Sequence, residues 1–320
     1  MRSAWKIVFS YNGHVAYRSA LQARDYHFSK SLLNLSKKGY INSGTFSVTS
    51  KRRILKNISN LVEISNTKRV MDLESKKSFK FKVSFITLTL SATQIHTDKE
   101  IKDEIFIPFL ELMSKVHNMS SYVWRAERQR NGNIHFHICT NVYIHYIDLV
   151  AKWNRAQNKL HYIDRFETKH KHRKANSVDV HSVIDVNSVG RYVAKYMAKG
   201  SDDDNILGRM HACSHNISKF KRFTIDELES NFTFFSSLSH PSLRIPFDNE
   251  FVCLYRGGVK LLLSSTNYIM IKEYLKYMYS QGYNIDMSGY PLESSAIFKR
   301  SCIKTIISNK LVYNYKFELL

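Results

Sequence analysis

The stretch SYVWRAERQRNGNIHFHICTNVYI, residues 121–144, reads as two strands around a tight turn. β-Branched and aromatic residues crowd both halves, and Asn131-Gly132 between them is a strong hairpin signal. Alternation along the second half sends Ile134, Phe136 and Ile138 to one face and His135, His137 and Cys139 to the other. Two imidazoles therefore project side by side, and an acid, Glu127, stands eight positions before the first of them. The turn decides whether that acid joins them. A two-residue loop at Asn131-Gly132 would put Glu127 opposite Phe136, on the wrong face. A three-residue loop, Arg130-Asn131-Gly132 with Gly132 in the left-handed region, pairs Gln129 with Asn133 and sets Glu127 opposite His135. The second register is expected.

Working outward, FKVSFITLTLS (81–91) has the composition of a buried strand. Thr97-Asp98 can cap a helix running to about His117, with apolar residues at helical spacing and a kink expected at Pro108. A helix over 146–158, a basic loop ETKHKHRKAN (167–176), a strand SVDVHSVIDV (177–186) and a helix from about Val189 to Lys199 follow. The order β-α-β-β-α-β-α predicts an α+β fold, a ferredoxin-like or RRM-like antiparallel sheet. Helices should cover one face and leave the other free for a ligand. The stretch 37–53, KKGYINSGTFSVTSKRR, reads as loop and short strand, and NYIMIKEYLKYMYS (267–280) as an amphipathic helix. The expected organisation is a basic extension over 1–78, a core over 79–200 and an accessory region over 201–320.

The charge points to a polyanionic partner such as nucleic acid: the 320 residues carry a formal +21. It is uneven, at +9 over residues 1–75, +10 over 76–200 and +2 over 201–320, so the anion-binding surface belongs to the first two thirds. The four cysteines form no C-x-x-C pair, as suits a reducing compartment, and no apolar run reaches membrane-spanning length. A soluble, cytoplasmic protein is expected.

Glu127, His135 and His137 with open positions suit Mg²⁺ or Mn²⁺, water and a phosphate filling the remaining sites. Otherwise Glu127 pairs with Arg125 or Arg128 and the histidines are solvated. GRYVAKYMAKG (190–200) repeats Tyr-x-x-Lys, bringing Tyr192 and Tyr196 to one helix face with Lys195 and Lys199. A phenol, with a pKa near 10, is a poor nucleophile. Beside a metal-bound phosphodiester, however, a phenolate can attack phosphorus and store the bond as phosphotyrosine, the lysines neutralising the phosphate. Tyrosines at helical spacing also pack in cores. Arg125, Arg128, Lys169, Lys171, Arg173 and Lys174 are the candidate DNA-contacting cations. His170 and His172 copy the spacing of the strand pair but sit in the charged loop, and His211, Cys213 and His215 have no second ligand cluster to make a metal site.

With FITLTL (85–90), Glu127, His135-Phe136-His137 and the Tyr192–Lys199 repeat in that order, residues 79–200 resemble the HUH rolling-circle replication initiators, and most closely the two-tyrosine initiators of microviruses, the small single-stranded DNA phages. The resemblance implies a metal-dependent endonuclease acting on an origin in single-stranded and replicative duplex DNA. One tyrosine would join the 5′ phosphate while the free 3′ hydroxyl primes synthesis by host polymerase, with a host helicase as a further partner. The second tyrosine would act when the circle is completed. A plasmid initiator or HUH transposase shares this core. From another class, a basic sheet protein could bind single strands passively, stacking bases on Tyr122, Trp124 or Phe136.

Overall fold

The computed structural model describes residues 48–183, 206–222, 276–283 and 309–319, together with strands at 5–10, 13–18, 224–227, 244–248, 252–256 and 298–307. In chain order these give β1 (Trp5–Ser10), β2 (Gly13–Arg18), α1 (Val48–Glu63), β3 (Lys68–Asp72), β4 (Ser78–Phe81) and β5 (Val83–Leu88). Then comes α2, which runs as α-helix over Asp98–Glu100, π-helix over Ile101–Phe106 and α-helix over Ile107–His117. It is followed by β6 (Tyr122–Arg128), β7 (Ile134–Thr140), α3 (Tyr146–Gln157), α4 (Tyr162–His170) and β8 (Val178–Val183). The remainder are β9 (His211–Cys213), α5 (His215–Lys219), β10 (Thr224–Glu227), β11 (Arg244–Asp248), β12 (Val252–Arg256), β13 (Phe298–Ile307) and β14 (Lys310–Leu319).

The chain forms two units. One, built from residues 1–43, 221–281 and 290–292, holds an antiparallel sheet of order β10-β1-β2-β12-β11. The other holds a sheet of order β13-β14-β3-β4 and the central sheet, β8-β5-β7-β6-β9. In the central sheet the four strands of the expected split βαβ unit lie in the order fourth, first, third, second, all neighbours antiparallel. The α+β architecture is therefore as expected, with β9 added at the β6 edge.

One face of the central sheet packs on α2 and α3. Phe106 stacks on Phe136 with centroids 3.8 Å apart, Trp124 and Trp153 meet this pair edge-on, and Trp153 Nε1 donates to Thr89 O at 2.7 Å. Each fully buried side chain of this kind contributes roughly 1.5–3 kcal/mol. Thr97 caps α2 in a capping box with Glu100. Pro108, expected to kink α2, stands just after the π-helical segment. It has no N–H for a carbonyl in the preceding turn, and the wider turn absorbs the mismatch.

The other face is less open than expected. α1 lies against β6 and β9, with Ile54, Ile58, Leu61 and Val62 buried at helical spacing and Asn57 Nδ2 donating to Cys213 Sγ at 3.2 Å. This helix includes residues 48–53, read from sequence as loop or strand. Likewise residues 167–170 close α4 instead of opening the loop. The 78–81 segment is a separate strand of the neighbouring sheet. Of the amphipathic stretch at 267–280, residues 276–280 are helical and the rest lies outside the described residues. Among the described residues no helix is long and apolar enough to cross a membrane.

Candidate functional site

The hairpin sets the site. Gln129 N donates to Asn133 O at 2.9 Å, Gly132 N donates to Gln129 O at 2.9 Å, and Gly132 has φ +84°. This is the three-residue loop, and Glu127 pairs directly with His135. Asn133 fixes the hairpin end from outside: its Oδ1 accepts from Gln94 N at 2.8 Å and its Nδ2 donates to Ala92 O at 3.0 Å. A rigid turn thus holds the register on which the site depends.

His135 Nε2 lies 2.6 Å and His137 Nε2 2.8 Å from the same oxygen, Glu127 Oε1. The three ligand atoms all lie within 4.8 Å of one another. Metal ligands about 2.1 Å from an octahedral ion stand about 3 Å apart, so a small opening of this triad admits one. Two imidazoles turning the same nitrogen onto one carboxylate oxygen is also the arrangement that a shared cation stabilises. The residues fit a divalent ion.

Each ligand is supported. Thr87 pairs with His137 across β5 and β7, and its Oγ1 lies 3.1 Å from His137 Nδ1. Phe85 stacks on the His137 ring at 5.2 Å. Arg125, the cross-strand partner of His137 in β6, places Nη1 3.5 Å from Glu127 Oε2. Burial alone would raise the Glu127 carboxyl, but hydrogen bonds from His135 and His137 and their charge hold it well below the ordinary carboxylate range. Burial pushes His137 down, against the pull of Glu127. The site thus pairs a carboxylate kept ionised with an imidazole kept available for coordination.

The remaining expected cations divide by environment. Arg125 is fully buried, so it cannot offer DNA a surface and acts instead as a counter-charge behind Glu127. Arg128 Nη2 is 2.6 Å from Asp98 Oδ2, and its Nη1 donates to Gly132 O at 3.2 Å, which ties hairpin to helix. Lys169, Lys171 and Lys174 are exposed. Arg173, also exposed, pairs with Asp164 and Glu167 at 2.9 and 2.5 Å. Their loop enters β8 opposite Leu88, itself opposite Phe136, and so lies at the Glu127–His135 end of the sheet. Tyr192, Lys195, Tyr196 and Lys199 lie outside the described residues. The aromatic residues proposed for passive stacking are mostly unavailable: Phe136 is 0% and Trp124 3% exposed.

Two supports escaped the sequence reading. Thr87 stands in FITLTL, but only the β5–β7 register puts it opposite His137. His211 pairs with Arg125 and so joins the metal face, as an extension of the sheet and not as a metal ligand.

No curated protein and no solved structure is significantly similar to the chain. Residues 83–201, well under half of the chain, match the ORF2-type family model of replication-associated proteins, a segment that opens with β5 and contains the triad and the tyrosine repeat, and the match supports a replication-initiator relationship for it.

Proposed function

We propose that the chain is a rolling-circle replication initiator that nicks one DNA strand at an origin through a tyrosine nucleophile, of the HUH two-tyrosine type and closest to those of microviruses. The observation that carries this reading is the convergence of His135 and His137 on one oxygen of Glu127, on the open end of a sheet that belongs to a segment matching the replication-associated family. Passive single-strand binding gives no reason for that convergence.

Glu127, His135 and His137 would hold Mg²⁺ or Mn²⁺, which when bound polarises the scissile phosphate and offsets charge developing on it. Thr87 orients His137, and Arg125 balances Glu127 from behind. The phenolate oxygen of Tyr192 or Tyr196 attacks phosphorus, and the bond from phosphorus to the 3′ oxygen breaks. That oxygen leaves with the electron pair and takes a proton, so a 3′ hydroxyl and a 5′ phosphotyrosine result. Lys195 and Lys199 stand within one turn of the phenols in sequence and would neutralise the phosphate. Transesterification conserves the bond, so the second tyrosine can repeat the exchange and the freed 3′ hydroxyl can reseal the circle without a nucleotide. The exposed cations at 169–174 contact flanking phosphates. Origin DNA in single-stranded and duplex form, with host helicase and polymerase, completes the set of partners.

Oligonucleotides tiled across the encoding replicon, incubated with Mn²⁺ or EDTA and resolved on denaturing gels, test this. A Mn²⁺-dependent covalent adduct should survive Tyr192→Phe or Tyr196→Phe singly and vanish in the double variant and in His137→Ala. DNA binding without an adduct in the wild type would overturn the nicking reading.

A further inference from the structure

α1 lies outside the segment that matches the replication family, yet it sits on the metal-facing side of the sheet. Direct partners on neighbouring strands share a face, and β9 pairs Cys213 with Val123 and His211 with Arg125, which in turn faces His137. Asn60 Nδ2 reaches Ile217 O at 3.4 Å and Asn57 Nδ2 reaches Cys213 Sγ at 3.2 Å. One turn earlier on this side of the helix, the same progression brings Arg53 beside His211. His211 is two strands, or roughly 10 Å, from His137.

The first turns of α1 hold Lys51, Arg52, Arg53 and Lys56, with no acid in the helix before the buried Glu63. Arg52, Arg53 and Lys56 are exposed, as is Arg209 in the segment that leads into β9. Burial and then the charges of Arg53, Arg125 and Arg209 hold His211 down to about 4. So much positive potential gathers there that one more positive charge is strongly disfavoured, and a polyanion would relieve it.

We propose that Arg52, Arg53 and Lys56 of α1, with Arg209 beside them, form a phosphate track for the single-stranded DNA that enters the metal centre. The DNA occupant rests on the nickase reading, whereas the anion-binding surface does not. The contacts are to backbone phosphates, so the track adds affinity without sequence preference.

Fluorescence anisotropy of a labelled oligothymidine with the full chain in EDTA, across a salt series, tests the track apart from catalysis. Counterion release costs a slope of about 0.7 per lost phosphate contact on single strands, so Arg52→Ala/Arg53→Ala/Lys56→Ala should flatten the salt dependence by about 2 and weaken binding roughly fiftyfold at about 0.15 M salt. Arg209→Gln, off the helix, should lower the slope by about 0.7. Lys76→Ala/Lys77→Ala/Lys80→Ala removes the same charge around β4 of the other sheet and should leave the slope unchanged. Equal losses in the two triple variants, or wild-type binding in both α1 and Arg209 variants, would overturn the track. Tight binding by a wild type that forms no tyrosine adduct would overturn the nickase reading and leave the track standing.

Discussion

Replacing Thr87 by valine removes one hydroxyl and almost no volume, and it tests the metal centre without DNA. Free of a cation, His137 can carry its proton on Nε2, give it to Glu127 Oε1 at 2.8 Å and accept from Thr87 at Nδ1. A cation on Nε2 forces the proton to Nδ1, and Thr87 Oγ1 at 3.1 Å is then its acceptor. With valine the Nδ1–H of a ring only 6% exposed loses that acceptor, and the cost falls on the metal-bound state alone. An unsatisfied buried donor costs about 1–3 kcal/mol, and ~1.4 kcal/mol is a factor of ten, so Mn²⁺ affinity should fall roughly 10- to 100-fold. Thr87→Ser retains the hydroxyl and should bind Mn²⁺ nearly as wild type does. Electron paramagnetic resonance of free Mn²⁺ during titration reads the affinity, and a thermal melt checks the fold. Identical affinities for the wild type and the valine variant would refute both the orienting role of Thr87 and the assignment of Nε2 as the ligand atom.

Phe136→Ala should cost about 3–5 kcal/mol in urea unfolding, since the ring lies against Phe106 at 3.8 Å and is fully buried, while the folded fraction keeps its oligothymidine affinity. A loss of DNA binding at unchanged stability would restore the base-stacking role. Gly132→Ala meets no atom within 4 Å, so its cost is backbone strain alone at φ +84°, about 1 kcal/mol by the same assay. An unchanged unfolding midpoint would count against a left-handed residue at the turn. Burial, partly offset by Asp98, lowers Lys102 from 10.5 to about 8. Between those values the unfolded chain binds the extra proton, so stability should rise with pH across that window, and Lys102→Met should flatten the rise. A wild-type stability that falls from pH 8 to 10.5 would contradict it.

Local chemistry made the core legible. Alternation placed His135 and His137 on one face of β7, and the left-handed preference of Gly132 selected the loop that pairs Glu127 with His135. Both effects act over a few residues, so a linear reading captures them. The strand order follows from the βαββαβ pattern because short connections and antiparallel pairing leave few alternatives.

What lay beyond the sequence was what covers what. Arg125 and Arg128, three positions apart on one strand, read alike, yet one is buried against Glu127 and the other is tied to Asp98. Their fates depend on α1 and α2, whose packing is set by apolar surfaces remote in the chain. Thr87 and His137 are 50 residues apart, and only the β5–β7 register makes them partners. The short His211–Cys213 segment, which in sequence shows only an isolated histidine-cysteine cluster, forms a fifth strand because the β6 edge offers unpaired backbone groups for it to satisfy. The sequence by itself determined the strand faces and the turn that brings the triad together, because alternation and turn chemistry are local. The tertiary structure decided which cations are buried and which stay on the surface, because burial is a property of the neighbours that long-range packing supplies.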